Sequence, residues 1–276
     1  MQYFDIPTVN SIDPLTTEDL HCEGCSVAKS KRSAFNHENP HPARRPLHRI
    51  HSDVMELETP SLGGKRYIVS FIDEYSRFAF IYCISTKDEV AAKFVDFKTQ
   101  VETLHRATIT ELRCDNGGEY INDSLGRQLR SAGTQLRPTQ PYSPQQNGLA
   151  ERYNQTLMNQ VRAILHSSGA PKHLWGELVQ TVNYLRHRTP STAIQGKTPY
   201  ELWYGTKPSI EHLRVLWSDA YMHIPRQRRR GKLAARARKV KLIGYRNSTT
   251  YRLYDTDTHE IFESVGNFES LFICLS

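Results

Sequence analysis

Three carboxylates stand at positions where phosphate chemistry is possible. Asp53 lies inside the segment RIHSDVMEL, Asp115 lies where ITELRC meets a glycine turn, and Glu151 follows a loop rich in Gln and Asn. Each has an ordinary structural alternative. Asp53 could be a strand end or a surface charge, Asp115 a turn former, and Glu151 a charge that complements a helix N-terminus. The three residues therefore have to be interpreted together.

Together, the three side chains suit a site for two divalent cations. Phosphodiester transfer needs an aligned nucleophilic oxygen, and it needs charge neutralisation on the attacking and leaving oxygens. Two Mg²⁺ (or Mn²⁺) ions held about 3.5–4 Å apart by carboxylates provide both. Carboxylates that close repel each other when no cation is present. The pattern predicts a catalytic metal site at Asp53, Asp115 and Glu151.

The helix face around Glu151 is polar. At about 100° per residue, Glu151 lies opposite an apolar stripe that begins at Leu149, and Gln155, Met158 and Arg162 share its face. Such a face suits a polyanion, and it also suits plain solvent exposure. We predict DNA contacts at Gln155 and Arg162, and leave the alternative open.

A series of strands and helices must position these residues. The runs KRYIVSFID and RFAFIYCIS, separated by 73–76, predict a hairpin buried on both faces. Apolar residues then recur at helical spacing from Val90 to Leu104, and Thr86 with Glu89 forms a capping box. This is the pattern of an amphipathic helix.

The following segments alternate in the same way. ITELRC is a strand, LGRQLRSAG a short helix, and TQLRP a last strand, after which the proline-rich PTQPYSPQQNG is a loop. A long helix starts near Gly148 and ends at Ser168-Gly169, and another helix follows Pro171. The order β-β-β-α-β-α-β-α predicts a mixed α/β architecture, in which helices flank a sheet that begins with a hairpin.

From about residue 212 the character changes to short β-like pieces joined by turns. A small all-β domain is predicted there, with a basic insertion at 226–241 that contains Arg228, Arg229 and Arg230. The insertion could contact phosphates or act as a nuclear localisation signal. Its alternative is a solvated loop.

Bulk composition narrows the class of protein. The 276 residues are 38% hydrophobic and 24% charged, which is typical of a soluble globular protein, and the net charge of +7 favours nucleic acid as partner. No apolar run is long enough to cross a membrane, and the N-terminus lacks a signal-peptide layout. Five scattered cysteines argue for a reducing compartment. We expect an intracellular protein.

Several ordered motifs resemble the integrase core of copia-type retrotransposons. They are RIHSDVMEL, SLGGKRYIVSFIDEYSRFAFIY, ELRCDNGGEYIND and PYSPQQNGLAERYNQTLMNQVRAIL, and the resemblance continues through most of the chain beyond about residue 20. The 35 residues between Asp115 and Glu151 match the D,D-35-E signature of the retroviral integrase superfamily.

The resemblance implies both a fold and an activity. The fold would be RNase H-like, with a mixed five-stranded sheet flanked by helices and a small C-terminal SH3-like domain. Asp53, Asp115 and Glu151 would bind the metal ions, and Gln145, Gln146 and Asn147 would form a mobile loop that positions DNA. The activity would be 3′-end processing and strand transfer, carried out by a homo-oligomer in the nucleus after passage through the cytoplasm.

The N-terminal part departs from the family pattern. Integrases of this group open with a His-His-Cys-Cys zinc module, but here only Cys22 and Cys25 remain, with His37 as a conceivable further ligand. Structural zinc takes four ligands, so a Zn²⁺ site is doubtful. We predict a remnant of this module with a linker at 1–47, a catalytic core at 48–210 and the SH3-like domain at 211–276.

The function has two alternatives. The chain could be a fragment or decayed copy of a longer polyprotein that only binds nucleic acid or a partner protein. An RNase H-type nuclease of the same fold is disfavoured because PQQNGLAER follows the integrase pattern.

Overall fold

The computed structural model describes residues 42–115, 117–120, 123–139, 147–229, 231–265 and 271–273, all within one compact unit. Two five-stranded sheets organise these residues. The first has the strand order β3-β2-β1-β4-β5. Its strands are β1 (Arg49–Glu56), β2 (Tyr67–Asp73), β3 (Ala79–Ile84), β4 (Glu111–Cys114) and β5 (Gln135–Pro138).

The first sheet mixes strand directions. β2 runs antiparallel to β1 and β3, whereas β4 pairs in parallel with β1 and with β5. β2 and β3 form a hairpin. Asp73 holds the five-residue turn between them, since its Oδ2 accepts hydrogen bonds from the N–H and hydroxyl of Ser76. The predicted mixed five-stranded sheet is confirmed.

Helices cover both faces of this sheet. They are α1 (Glu89–His105), α2 (Asp123–Ser131), α3 (Gly148–Ser168), α4 (Trp175–His187) and α5 (Pro199–Tyr204). The apolar face of α1, with Phe94 and Phe97, packs on one side of the sheet, where it meets Phe71 of β2. α3 and α4 pack on the other side, where Tyr153 and Leu178 meet Ile68. The sheet is therefore buried on both faces, as the β2 and β3 sequences predict.

Helix ends largely follow the predicted signals. Glu89 Oε1 accepts hydrogen bonds from the N–H groups of Ser85 and Thr86, which is the Glu half of the capping box. Gly169, at φ +66°, ends α3 in the left-handed conformation. α5 was not predicted, although Thr198 caps it by accepting the Glu201 N–H at 3.0 Å.

The predicted small all-β domain is confirmed, and it consists of the second sheet. Its strands are β6 (Asp219–His223), β7 (Ala237–Tyr245), β8 (Thr250–Tyr254), β9 (Ile261–Val265) and β10 (Leu271–Ile273), in the order β10-β6-β7-β8-β9 and antiparallel throughout. The predicted turn after β8 is held by Asp255 Oδ1, which accepts hydrogen bonds from the N–H groups of Asp257 and Thr258. β10 was not predicted.

The domain limits at 1–47, 48–210 and 211–276 stay predictions. Residues 42–47, assigned to the linker, contact the core: the Ala43 N–H donates to Glu74 Oε1 at 3.0 Å, and Leu47 is completely buried. None of the helices in the described ranges is long and apolar enough to span a membrane.

Candidate active site

Parallel pairing brings the first two predicted carboxylates to the same level of the sheet. β1 and β4 pair from Arg49–Glu111 to His51–Arg113 with a constant offset. The same offset, two residues further along each chain, places Asp53 beside Asp115. Adjacent strands lie about 5 Å apart, and both side chains are half-buried. The two aspartates therefore share one edge of the site.

Asp53 is the central residue of the site. Its carboxylate faces α3, where Asn154 Nδ2 donates to Asp53 Oδ2 at 2.9 Å. Burial raises the pKa of Asp53 to about 6; the hydrogen bond from Asn154 works against this rise, and the charges of Asp115 and Glu151 add to it. The three predicted carboxylates thus act on one another through space.

Glu151 approaches this pair from the first turn of α3 and is exposed. It lies one helical turn before Asn154, so its side chain emerges next to the residue that contacts Asp53. The predicted polar face is also seen, because Gln155 and Arg162 are exposed and Met158 is half-buried. Arg162 binds Asn159 Oδ1 at 2.6 Å on the same surface.

Asn147 occupies a different environment from the one predicted for a DNA contact. It is 2% exposed, immediately before α3, and its Nδ2 donates to the Ser52 carbonyl at 2.9 Å. Its Oδ1 lies 3.4 Å from His51 Nδ1. The side chain ties the start of α3 to β1, and the contact of Asn147 with DNA stays a prediction. Gln145 and Gln146 lie outside the described residues.

The turn after β4 holds the second carboxylate. Asp115 Oδ1 accepts a hydrogen bond from the Gly117 N–H at 3.1 Å. Tyr120, which follows this turn, is buried, and its hydroxyl is hydrogen-bonded to Ser52 Oγ on β1. This contact links the turn to the strand that carries Asp53.

Buried ion pairs fix β1 beneath the site. Arg49 Nη1 lies 3.0 Å from Glu74 Oε2, and its Nε lies 3.1 Å from Glu111 Oε2. His51 Nε2 lies 2.8 Å from the same Glu74 oxygen. Burial alone would raise the pKa of Glu74, but hydrogen bonds from His51, Ala43 and Arg49 outweigh it and lower the pKa to about 2. Glu74 is therefore a carboxylate anion that receives several donors.

The donor set suits a hard divalent cation. In the described ranges, no three His, Cys, Asp or Glu side chains are close enough to hold a metal ion as they stand. Asp53, Asp115 and Glu151 nevertheless offer oxygen ligands, which Mg²⁺ and Mn²⁺ prefer. Burial is the main cause of the raised pKa of Asp53, and the negative charges of Asp115 and Glu151 add to it; a bound cation would neutralise these charges. The residues fit the metal.

The other predicted site residues are only partly described. Arg229 is half-buried; its Nε donates to the Ile224 carbonyl at 2.9 Å, and its Nη2 lies 3.0 Å from His223 Nε2. The side chain of Arg228, all of Arg230, and the cysteines Cys22 and Cys25 fall outside the description.

Asn154 and Tyr120 were missed by the sequence analysis. A single asparagine in a helix has no spacing pattern, although its place three residues after Glu151 is a signal that could have been used. Tyr120 could have been expected to be buried, but nothing in the sequence pairs it with Ser52.

Comparison with known proteins identifies the class of the two domains. The family described as "Integrase core domain" matches residues 43–144, and "Retroviral polymerase SH3-like domain" matches residues 218–265. The chain thus contains an integrase core followed by an SH3-like sheet.

Relatives extend this assignment over most of the chain. The retrovirus-related Pol polyprotein from transposon TNT 1-94 of Nicotiana tabacum is 35% identical over 88% of this chain and 18% of its own length. That from transposon RE2 of Arabidopsis thaliana is 29% identical over 82% of this chain and 15% of its own length. The homologues of this chain are thus Pol polyproteins of copia-type transposons, as predicted, and the chain spans less than a fifth of the length of these relatives.

Among solved structures, the HTLV-2 integrase catalytic core domain in complex with magnesium (trimeric form) is similar. It is 14% identical, with a TM-score of 0.44, and the alignment covers 58% of this chain and 99% of that one.

Proposed function

We propose that this chain catalyses the cutting and joining of DNA ends during transposon integration. The observation that supports the proposal is the setting of Asp53: a half-buried carboxylate that faces α3, accepts a hydrogen bond from Asn154 and feels the charges of Asp115 and Glu151. One carboxylate on a strand, one in the turn after the neighbouring strand and one on a helix form an arrangement that suits metal-assisted phosphoryl transfer.

Asp53, Asp115 and Glu151 would hold Mg²⁺ or Mn²⁺, with two ions in the complete site. When bound, the ions supply charge neutralisation and a more acidic attacking hydroxyl. Water would first release a 3′-OH at the element end. That hydroxyl would then attack a target phosphodiester and displace its 3′ oxygen, with no covalent enzyme intermediate.

The protein's own residues supply orientation. Asn154 donates a hydrogen bond to one oxygen of Asp53, and the Gly117 N–H donates to one oxygen of Asp115. Asn147 keeps α3, and with it Glu151, against β1. Positioning of this kind matters because a displacement of about 1 Å can cost roughly a hundredfold in rate.

DNA is the proposed partner. Gln155 and Arg162 on the exposed face of α3 would contact it, together with Gln145, Gln146 and the basic segment 226–241 that includes Arg228, Arg229 and Arg230. We further propose that the chain acts as a homo-oligomer in the nucleus, with passage through the cytoplasm.

Strand transfer with short duplexes that carry element ends tests the proposal. In Mg²⁺ the wild type should give joined product, Asp115→Asn should give none, and Asp96→Asn, on the exposed side of α1, should behave as wild type. If the wild type gives no more product than Asp115→Asn, the catalytic proposal fails. A mobility shift across a salt series would then show whether nucleic-acid binding alone survives.

A further inference from the structure

A cavity lies on the other side of the start of α3 from the three carboxylates. It has a volume of about 340 Å³ and lies between α3, the C-terminal end of α4 and the turn between β2 and β3. Three arginines, Arg77, Arg152 and Arg186, are among the residues that line it, and none of the described lining residues is acidic. The cavity therefore has a positive lining.

Arg77 enters the cavity from the hairpin turn. Its backbone is left-handed, at φ +62°, which non-glycine residues seldom adopt. Its Nε is buried and has no hydrogen-bond partner among the described residues. The nearest acids are already engaged: Asp73 accepts from Leu47 and Ser76, and Glu74 binds Arg49 and His51. Arg77 thus presents a donor that those acids do not satisfy.

Arg186 approaches from the last turn of α4. Its guanidinium stacks on the ring of Tyr153, with 4.7 Å between the guanidinium carbon and the ring centroid. Its Nε is also buried without a hydrogen-bond partner in the described part of the chain. Stacking fixes the plane of the guanidinium and preorganises it to bind an oxyanion.

The neighbouring histidine adds no charge. His187 is buried, and burial lowers its pKa to about 3, with the charge of Arg188 as a smaller cause. Its Nε2 accepts a hydrogen bond from the Ala79 N–H at 3.1 Å. The positive charge of the cavity therefore comes from arginine alone and is constant at physiological pH.

The cavity adjoins the candidate active site through one helix. Arg152 directly follows Glu151, and Arg152, Thr156 and Gln160 form an exposed row at four-residue spacing that borders the cavity. Glu151 and Gln155 form the adjacent row. A DNA strand bound at the carboxylates and running across the first turns of α3 would therefore reach Arg152 next.

We infer that this cavity binds a backbone phosphate of the DNA strand held at Asp53, Asp115 and Glu151. The inference rests on the proposed function in that DNA is the partner. Arginine is the side chain whose planar donors match phosphate oxygens, and two buried Nε groups here lack a partner. Free phosphate has the same chemistry, so the experiment separates the two sources.

DNA binding across a salt series tests the inference, with EDTA present so that no metal or catalysis is involved. Fluorescence anisotropy with a short duplex gives the slope of log K against log salt. Each lost phosphate contact reduces its magnitude by about 0.9. Arg152→Gln and Arg77→Gln should each bind DNA several-fold more weakly with this smaller slope, and Arg152→Lys should keep the wild-type slope.

Arg106→Gln is the matched control, because Arg106 is exposed just after α1, which packs on the opposite face of the sheet. It should leave the slope unchanged. Arg152 is exposed, so Arg152→Gln should fold even if Arg77→Gln does not, and circular dichroism checks both. The inference would be overturned if both variants fold and keep the wild-type slope. It would also be overturned if Arg77→Gln does not fold and Arg152→Gln keeps the wild-type slope.

A thermal melt with inorganic phosphate, matched in ionic strength with chloride, separates the two sources. If phosphate raises the melting temperature of wild type only, while DNA slopes stay equal in all variants, the cavity takes free phosphate and the inference is wrong. A wild type that binds DNA but joins no strands would contradict the proposed function alone.

Discussion

Asp53 combines partial burial with the neighbourhood of two other acids. Its pKa is about 6, against 3.8 for an unperturbed aspartate. Because the pKa in the folded state is raised, the stabilising contribution of protonated Asp53 is complete below about pH 3.8 and is lost as the pH rises through 6. Near neutral pH without metal, the ionised side chain destabilises the fold.

Asp53→Asn should therefore stabilise the metal-free protein at pH 7.5. The rise in pKa from 3.8 to about 6 corresponds to a gain on the order of 3 kcal/mol, or several degrees in melting temperature. At pH 4.5 the gain should shrink, and Mg²⁺ should raise the melting temperature of wild type more than that of the variant. Asp96→Asn is the exposed control. A variant less stable than wild type at pH 7.5 would contradict this account.

Asn154 acts on the site through Asp53. Asn154→Ala removes the hydrogen bond that lowers the pKa of Asp53, so this pKa should rise further, by roughly one unit. The acidic limb of joining activity against pH should move upward by the same amount, which means roughly tenfold less activity near pH 5 and only about twofold less at pH 7. Gln100→Ala, at an exposed position of α1 away from the carboxylates, is the control. Equal loss at every pH would indicate a merely structural role.

The sequence placed the carboxylates but not their supports. The resemblance to a known family, the spacing of Asp115 and Glu151 and the polar face of α3 together predicted which acids belong to one site. The hydrogen bond from Asn154 and the burial of Asn147 depend on how α3 rests on β1. That packing is a property of the tertiary structure, and no local pattern contains it.

At the scale of elements, β1 is the strand on which the site depends. It carries Asp53, pairs with both β2 and β4, and is joined to the hairpin turn by Glu74. Glu74, which pairs with the buried Arg49, belongs to the same hairpin turn as Arg77, which lines the cavity. Strand position and turn geometry are therefore coupled through Glu74.

Glu74→Gln should destabilise the fold by about 3 kcal/mol at pH 7, because Arg49 and His51 stay buried opposite a neutral group. The pKa of Glu74 is lowered from 4.5 to about 2. Its contribution is thus present above pH 4.5 and is lost as the pH falls through 2. Urea unfolding at pH 7 and pH 3 should show the difference shrinking in acid. Glu58→Gln, at an exposed position, should show little effect, and a pH-independent difference would refute the ion-pair explanation.

Helices and strands were predicted correctly where one pattern of apolar residues extended over a whole element. α1 has four buried residues at helical spacing, and β2 is almost continuously apolar. α5 was overlooked because it has only six residues, although Thr198, Pro199, Glu201 and Gly205 form a recognisable start and stop. β10 has three residues near the chain end and is defined by its pairing with β6, which local sequence does not reveal.

At the scale of the whole molecule, α4 connects the two sheets. One face of this helix packs on the first sheet through Leu178 and Val182. The other face contacts the SH3-like sheet, where Thr181 Oγ1 donates to the Ile243 carbonyl at 2.9 Å and Arg252 Nε lies 2.5 Å from Glu177 Oε2. The helix that lines the arginine cavity therefore also positions the second domain.

A bulge in β7 makes the contact between α4 and the SH3-like sheet possible. The pairing with β8 shifts between Leu242 and Gly244, which leaves Ile243 as the extra residue. A bulge frees one residue from the ladder, and here the Ile243 carbonyl accepts the Thr181 hydroxyl instead. Gly244 is required by close approach, because a Cβ at this position would overlap Thr181 Oγ1.

Gly244→Ala should therefore destabilise the protein by about 1–3 kcal/mol through overpacking, and Thr181→Ala by about 1 kcal/mol through a lost hydrogen bond. The double variant should lose less than the sum of the two, because removing the Thr181 hydroxyl makes room for the new methyl group. Urea unfolding of wild type, both single variants and the double variant measures the coupling. Gly63→Ala is the control, since a Cβ there meets only Ser61 Oγ at 3.9 Å. Additive losses would mean that Thr181 does not restrict Gly244 and that the two sheets are joined by other contacts of α4.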